Sequence, residues 1–446
     1  MPTSEAVHAV IVVGAGPAGL FAARALAAEG ARVLLLNRDV KPGGLAEYGI
    51  FLNKYKMKSG LRKQFEKILT DPKVTYLGNV TVGEQGDIKV SELRALGFDA
   101  VVFASGAQGT KYLGIEGERL PGVHHAKDLV YHYNRLPPFS QRTFPIGRRV
   151  AVVGVGNVMV DIANYCSHFC DTDEVIAVAR RGPFEKAYDD REFEDVEDAF
   201  DRERYREEIE RIRPRLEAIG QDAGILLTAV SKPESSRAAE HDEPGRTQLR
   251  FRFLAVPKRV IAEDGRVVAL EVEETRLEKK GDRVIAVGTG ELSRLPVDTV
   301  VFAVGDRVDE TLGLPYRDGL YLTVPGASEG PGAYQVWDPE TGEPMDGVFV
   351  LGWARRASDG VVGRARLDAE TGVKHVVAWL AGRARRSREA ADQLIAGVEA
   401  DLRGRGLRPV SYRQVQQIEA EERSRAAAAQ APEFKFASNE EMLDLL

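Results

Sequence analysis

Two stretches of this chain share one order of parts: a short apolar strand, a glycine-spaced turn and a helix. Ala9 to Val13 reads AVIVV, and Gly14-Ala-Gly16-Pro-Ala-Gly19 follows at once. A β-branched, continuously apolar run of this length suits a strand buried on both faces of a parallel sheet. Leu20 to Glu29 then carries apolar residues and alanines at helical spacing, Gly30 stops the helix, and Arg32 to Leu36 begins another strand. The unit recurs with an apolar strand from Arg149 to Val153, Gly154-Val-Gly156-Asn157, a helix to Phe169 and a strand from Val175 to Ala179. Asp99-AVVFASG-Ala107 and Asp298-TVVFAVG-Asp306 echo each other in the same way. Such units confine the chain to an α/β architecture with two Rossmann-like dinucleotide-binding domains.

The rest of the sequence fits a chain built around those units. Its 446 residues amount to about three domain lengths at ~150 residues each. Hydrophobic residues at 43% and charged residues at 29% exclude a disordered or collagen-like chain. A net charge of −7 argues against a generally basic nucleic-acid binder. Two cysteines fit a reducing compartment, which points to the cytoplasm, and are too few for a four-thiolate iron–sulfur cluster. Cys166 and Cys170 are four apart on a helix and read as packing residues rather than as a redox CxxC. No apolar run reaches the ~20 residues of a membrane span. Asp189 to Glu217 reads as helix with a solvated face, and Ser231 to Thr247 as a polar loop. Leu249 to Val256, Val267 to Glu273 and Arg283 to Val287 alternate like antiparallel strands, and Ala426 to Ala429 resembles a linker.

The glycines carry the chemistry. Gly14 permits a tight turn, Gly16 lets a pyrophosphate approach the backbone, and Gly19 lets helix and strand pack closely. The helix start then offers free N–H groups and a positive dipole to phosphates. The position that normally holds a ribose-binding carboxylate is Asn37, whose amide forms a weaker hydrogen bond. In the second unit Met159 stands where a third small residue is usual, so that helix must sit further from its strand. Arg180 and Arg181 end the strand that follows. A carboxylate there selects NAD, whereas a guanidinium pair complements the 2′-phosphate of NADP.

Further motifs extend these two over nearly the whole length: Gly44-Leu45 with Tyr48-Gly49, Lys63-Gln-Phe65, GNVTVG from Gly78, and RRGP from Arg180. Phe251-Arg-Phe253, Gly352-Trp353 and Asp359-Gly-Val-Val-Gly363 complete the set. Together they resemble the adrenodoxin reductase-type ferredoxin–NADP reductase family, which is related to the glutamate synthase small subunit. The resemblance implies an FAD domain in two parts, residues 1–107 and 331–446, the latter with a C-terminal helical extension. An NADP domain would occupy residues 108–330. It assigns FAD contacts to Ala18, Gly44, Leu45, Val82 and Trp353. It places Gly360, Val361 and Val362 at the flavin ring, and Val155, Gly156, Asn157, Val158, Arg180, Arg181 and Glu192 at NADP. Lys54 stands where the family has the histidine of an Asp-His-Pro segment, and Gly43 where an aromatic residue is usual.

The implied activity passes electrons between NADPH and a one-electron carrier such as a small acidic ferredoxin, with FAD as the intermediary and no protein nucleophile. A helix starting near Val361 would aim N–H groups at the flavin. Arg355, Arg356, Arg364, Arg366, Lys374 and the arginines from Arg383 to Arg388 are candidates for a basic docking face. Two other readings stay open. One is an NADPH-oxidising flavin subunit of a larger complex, of the glutamate synthase or 2-oxoacid:ferredoxin oxidoreductase type, which Gly43 favours. The other is a scaffold subunit without turnover, which rests on Asn37 and Met159 alone.

Overall fold

The computed structural model describes residues 6–230, 247–357 and 362–446. The chain divides into two compact units: Met1–Lys111, Tyr131–Gln141 and Gly305–Leu446 form one, and Tyr112–Val130 with Arg142–Val304 the other. The seams expected after residues 107 and 330 thus differ from these. The second unit stops at Val304, where the Thr299–Phe302 strand ends, and residues 131–141 return to the first.

In the first unit, seven strands form one sheet. Their order is Gln335–Asp338, Glu343–Val350, Ala100–Phe103, Ala9–Val13, Arg32–Leu36, Val74–Gly78 and Val410–Ser411. The five inner strands run parallel and the two edge strands antiparallel. Ala9–Val13 and Arg32–Leu36 are buried at every position, because helices cover both faces. The Pro17–Ala28 and Val362–Leu380 helices pack on each other on one face. Small residues make this close approach possible, with Ala22, Ala23, Ala365 and Ala369 all in that core.

In the second unit, five parallel strands run in the order Gln248–Arg252, Glu174–Val178, Arg149–Val153, Thr299–Phe302 and Val123–His125. Gln248–Arg252 is a correction to the antiparallel expectation. It pairs parallel with Glu174–Val178, and it alternates because it lies at the sheet edge: Leu249 and Phe251 are buried while the residues between them are not. Ala255–Glu263, Arg266–Lys280 and Arg283–Leu295 do form an antiparallel sheet, with longer strands than the sequence pattern suggested. Ala426–Ala429 is not a linker: Tyr412–Ala428 is one helix, in keeping with alanine's high helix propensity. The polar loop expected from Ser231 to Thr247 lies, but for Thr247, outside the described residues.

The two units repeat each other in detail. Gly14 N donates to the Leu36 carbonyl at 2.7 Å, and Gly154 N to that of Val178 at 2.9 Å. Ala104 N donates to Val13, and Ala303 N to Val153, both at 2.8 Å. Asp99 accepts from Ala9 N at 2.7 Å, and Asp298 from Arg149 N at 3.1 Å. The echo between the segments starting at Asp99 and Asp298 is therefore an aspartate holding the first N–H of a neighbouring strand, followed by a strand that ends under a glycine turn.

Candidate dinucleotide sites

Each glycine turn is shaped by close backbone contact. Gly14 has φ +102° and a Cβ there would lie 2.6 Å from the Ala104 carbonyl oxygen. Gly154 has φ +122° and its Cβ would lie 2.3 Å from that of Ala303. These two glycines are explained by the fold alone. Gly16 and Gly156 are not. A Cβ on Gly16 would meet only the Gly44 Cα, at 4.0 Å, and one on Gly156 would meet nothing within 4 Å. Both have extended backbone, open to any residue. Packing does not require glycine at either position, and a phosphate lying against the backbone does.

The helices that follow are unprotected at their starts. Pro17–Ala28 and Asn157–Phe169 have glycine N-caps, no side-chain cap and no acid in the first turn. Asp189, Asp201, Ser387, Ser411 and Ser438 cap other helices of the chain through their side chains. Uncapped N–H groups with the positive end of the helix dipole are what phosphate oxygens bind.

A second layer covers each turn. The Ala15 carbonyl accepts from Gly43 N at 2.7 Å, and the equivalent Val155 carbonyl accepts from Ala187 N at 2.9 Å. In the first unit that layer is Gly43-Gly44 and the Leu45–Tyr48 helix. Gly44 approaches so closely that a Cβ would lie 2.9 Å from the Gly16 Cα. In the second unit, the Asn157 carboxamide oxygen accepts from Asp189 N at 2.8 Å, which holds the 187–189 segment over the turn. Val158, the next residue, is exposed.

Asn37 is held by the protein's own backbone. Its Oδ1 accepts from Ala15 N at 2.9 Å, and its Nδ2 donates to the carbonyls of Asp39 at 2.8 Å and Lys41 at 3.1 Å. The buried amide ties the glycine turn to the loop after Arg32–Leu36, a task that needs a donor and an acceptor on one side chain. Met159 is fully buried. A Cβ at the equivalent Gly19 would lie 1.8 Å from the Gly14 carbonyl oxygen, so the second helix must stand further off its turn to hold Met159. Asn37 and Met159, the two residues that suggested a scaffold, therefore both have structural uses.

Arg180 and Arg181 follow the Glu174–Val178 strand, whose Val178 is in register with Val153. They lie at the same sheet end as the Gly154–Gly156 turn, and Thr275 Oγ1 holds the Arg180 carbonyl at 2.8 Å. Neither guanidinium has an ion-pair partner among the described residues, whereas nearby Arg202, Arg204, Arg211, Arg213, Arg215 and Arg250 are all paired with glutamates. Glu192 lies on the short Asp190–Phe193 helix, half-buried.

The remaining expected FAD residues divide by environment. Ala18 is buried in the first turn of its helix, and Gly352, with φ +62°, would place a Cβ 2.5 Å from the Ala18 Cβ. Gly352-Trp353 thus lies against the first glycine helix. Leu45 is half-buried beside Tyr48 and Tyr131. Val82 packs in the apolar cluster with Leu312 and Val336. Gly360 and Val361 lie outside the described residues, and Val362 opens the Val362–Leu380 helix. The basic docking cluster is largely neutralised. Arg355 pairs with Asp368, Arg366 with Glu370, Arg383 with Asp346 and Arg386 with Asp99. Cys166 is buried and Cys170 half-buried, and both thiols are free.

Sequence patterns did not reveal a belt of buried charge beneath Gly44. Lys435 donates to the Glu47 carbonyl and pairs with its carboxylate, both at 2.9 Å. Arg62 bridges Glu47 and Glu433, Lys41 pairs with Glu422, and Lys58 donates to Asn134 Oδ1 at 2.9 Å. Burial alone would raise the Glu47 carboxyl, but Lys435, Lys41 and Arg62 outweigh it and hold that carboxyl far below its ordinary range. Burial, with Lys435 nearby, pushes the Lys58 ammonium down to about 8. Isolated charged residues spread from Lys41 to Lys435 leave no periodic signature, so only the folded chain brings them together.

Among the described residues, no helix is long and apolar enough to cross a membrane. Residues 8–214 match the pyridine nucleotide-disulphide oxidoreductase family. NADPH-ferredoxin reductase FprA of Mycobacterium tuberculosis (strain ATCC 25618 / H37Rv) is 31% identical, over 97% of this chain and 98% of its own. Human mitochondrial NADPH:adrenodoxin oxidoreductase is 29% identical, over 100% of this chain and 93% of its own. The solved structure of M. tuberculosis FprA in complex with NADPH superposes with a TM-score of 0.77 at 29% identity, covering 98% of this chain and 99% of that one. Two glycine cradles repeated bond for bond, and likeness to these enzymes from end to end, have one reading: the chain belongs to the adrenodoxin reductase-type ferredoxin–NADP reductase family.

Proposed function

We propose that the protein is an FAD-dependent oxidoreductase that moves electrons between NADPH and a one-electron carrier of the ferredoxin type. The first unit holds FAD and the second NADP(H). The observation that carries this reading is the Arg180–Arg181 couple, unpaired among the described residues, at the same sheet end as an uncapped helix start, an arrangement that suits a dinucleotide with an extra phosphate. Bound FAD supplies the chemistry of accepting a hydride and releasing electrons singly. The chain's residues do the rest. Gly16 and Gly156 admit the pyrophosphates, the two helix starts offset their charge, and Asn37 and Asn157 fix the covering segments. The start of Val362–Leu380 supplies further N–H groups for the flavin. The partner is a small acidic iron–sulfur carrier, and the setting is the cytoplasm.

Rapid mixing tests this. The purified protein should be yellow, NADPH should bleach it much faster than NADH, and an added ferredoxin should restore the colour. Protein that never retains FAD, or is bleached equally by NADH, would overturn the reading. A flavin subunit of a larger complex would instead co-purify with further chains and reoxidise slowly with free ferredoxin.

A further inference from the structure

We infer that Asp368 is the positioning residue that fixes the third wall of the FAD cradle, the Gly352-Trp353 turn, against the first glycine helix. The inference rests on the proposed FAD site and adds to it a residue that touches no cofactor.

The turn itself offers little to hold it in place. Gly352 sits at φ +62° and is the N-cap of a four-residue helix, Trp353–Arg356, with no side-chain cap of its own. It lies so close to Ala18 that no Cβ fits. Its N–H is answered from the Val362–Leu380 helix: Asp368 Oδ2 accepts from Gly352 N at 2.6 Å. The same carboxylate pairs with Arg355, the third residue past Gly352, and Tyr334 Oη donates to Asp368 Oδ1 at 3.4 Å. Arg355 also lies over the Tyr334 ring at 4.1 Å. One turn further along the helix, a Cβ on Gly372 would strike Leu351 Cδ2 at 2.2 Å. Asp368 and Gly372, at i and i+4, therefore share the helix face that grips residues 351–355.

The arrangement has a chemical logic. A largely covered carboxylate, 14% exposed, needs compensation, and here a backbone N–H and a guanidinium from the same turn provide it. Asp368 thus bonds to both ends of the segment that leans on Ala18. With Asp368 in place, the turn has one position relative to the glycine helix. Without it, the Gly352 N–H loses its acceptor and Arg355 its counter-charge. Arg355 is thereby assigned to the cradle rather than to a docking face, in line with its side chain being only 7% exposed.

The test follows FAD release by fluorescence from wild type, Asp368→Ala and Asp368→Asn, with NADP+ affinity measured alongside. Asp368→Ala should release FAD at least tenfold faster and leave NADP+ affinity unchanged, since Asp368 belongs to the first unit alone. Asp368→Asn keeps an oxygen for the Gly352 N–H and should restore retention to within threefold of wild type. Release from Asp368→Ala at the wild-type rate, or from Asp368→Asn as fast as from Asp368→Ala, would overturn the inference. Should Asp368→Ala fail to fold, Asp368→Asn decides alone: retention within threefold supports the role and a tenfold loss overturns it. A wild-type protein without FAD would instead refute the underlying site.

Discussion

The two glycine cradles share their backbone bonds and differ in what surrounds them. The first is closed in. Gly44 approaches to within a Cβ's width of Gly16, Gly352 leans on Ala18, Asn37 latches the turn from below, and a belt of buried charge braces Leu45–Tyr48. The second is open: among the described residues, Gly156 has no neighbour that a Cβ would touch, Val158 is exposed, and two arginines stand without counter-charges. A walled cradle suits a prosthetic group that stays, and an open one suits a dinucleotide that must enter and leave at each turnover. On the proposed assignment, one local fold would serve a permanent occupant and a transient one chiefly through what is packed over the turn.

The sharpest way to break this comparison is to fill each cradle. Gly44→Val would press a Cβ to 2.9 Å from the Gly16 Cα in the first cradle and should abolish soluble yellow protein. Gly156→Ala, with nothing within 4 Å, should fold with an unchanged melting temperature and raise KM for NADPH. If the two variants behave alike, the contrast is wrong. The next effect concerns charge in the open cradle. Replacing Arg180 and Arg181 by alanine should raise KM for NADPH about tenfold per residue, roughly 100-fold together, and leave KM for NADH nearly unchanged. Steady-state kinetics with both coenzymes would show it.

A smaller effect separates two roles for Asn37. Were it a weakened ribose ligand, Asn37→Asp would tighten FAD. As a latch it should do the opposite, since a carboxylate would face the carbonyls of Asp39 and Lys41. A loss of about 1–3 kcal/mol in stability is expected by chemical denaturation. The smallest effect lies in the belt. The Lys58 ammonium is pushed down to about 8 from an unfolded value near 10.5. Below pH 8 it is protonated in both states, and its burial works against folding. Between 8 and 10.5 the unfolded chain holds the extra proton, so stability rises with pH. Wild type should gain on the order of 1 kcal/mol relative to Lys58→Met from pH 7.5 to 10. A flat difference across that range would show that Lys58 does not titrate there.

What could be seen in the sequence was what repeats or has a fixed spacing. Ala9–Val13, Arg32–Leu36, both glycine turns and Arg180–Arg181 are contiguous signals whose physics is local. Gln248–Arg252 misled because an edge strand in a parallel sheet alternates like an antiparallel one. Asn37 looked like a defect because its partners, Ala15, Asp39, Lys41 and Tyr76, lie in separate parts of the fold. Asp368 and Lys435 gave no signal at all: an acid on a helix and a lysine in a tail look solvated until the fold brings Gly352 and Glu47 to them.

The way the first unit is threaded sets an order on its birth. Its sheet takes one strand from Glu343–Val350 and another from Val410–Ser411, and Lys435 reaches back to Glu47. Residues 142–304, by contrast, leave the ribosome as a nearly finished body. Although the first glycine turn is translated early, its sheet and its buried charges are completed only after Val410–Ser411 and Lys435 have emerged. A nascent chain arrested near residue 400 would hold a formed second unit beside a first unit that still lacks its Val410–Ser411 strand and the Lys435–Glu47 contact.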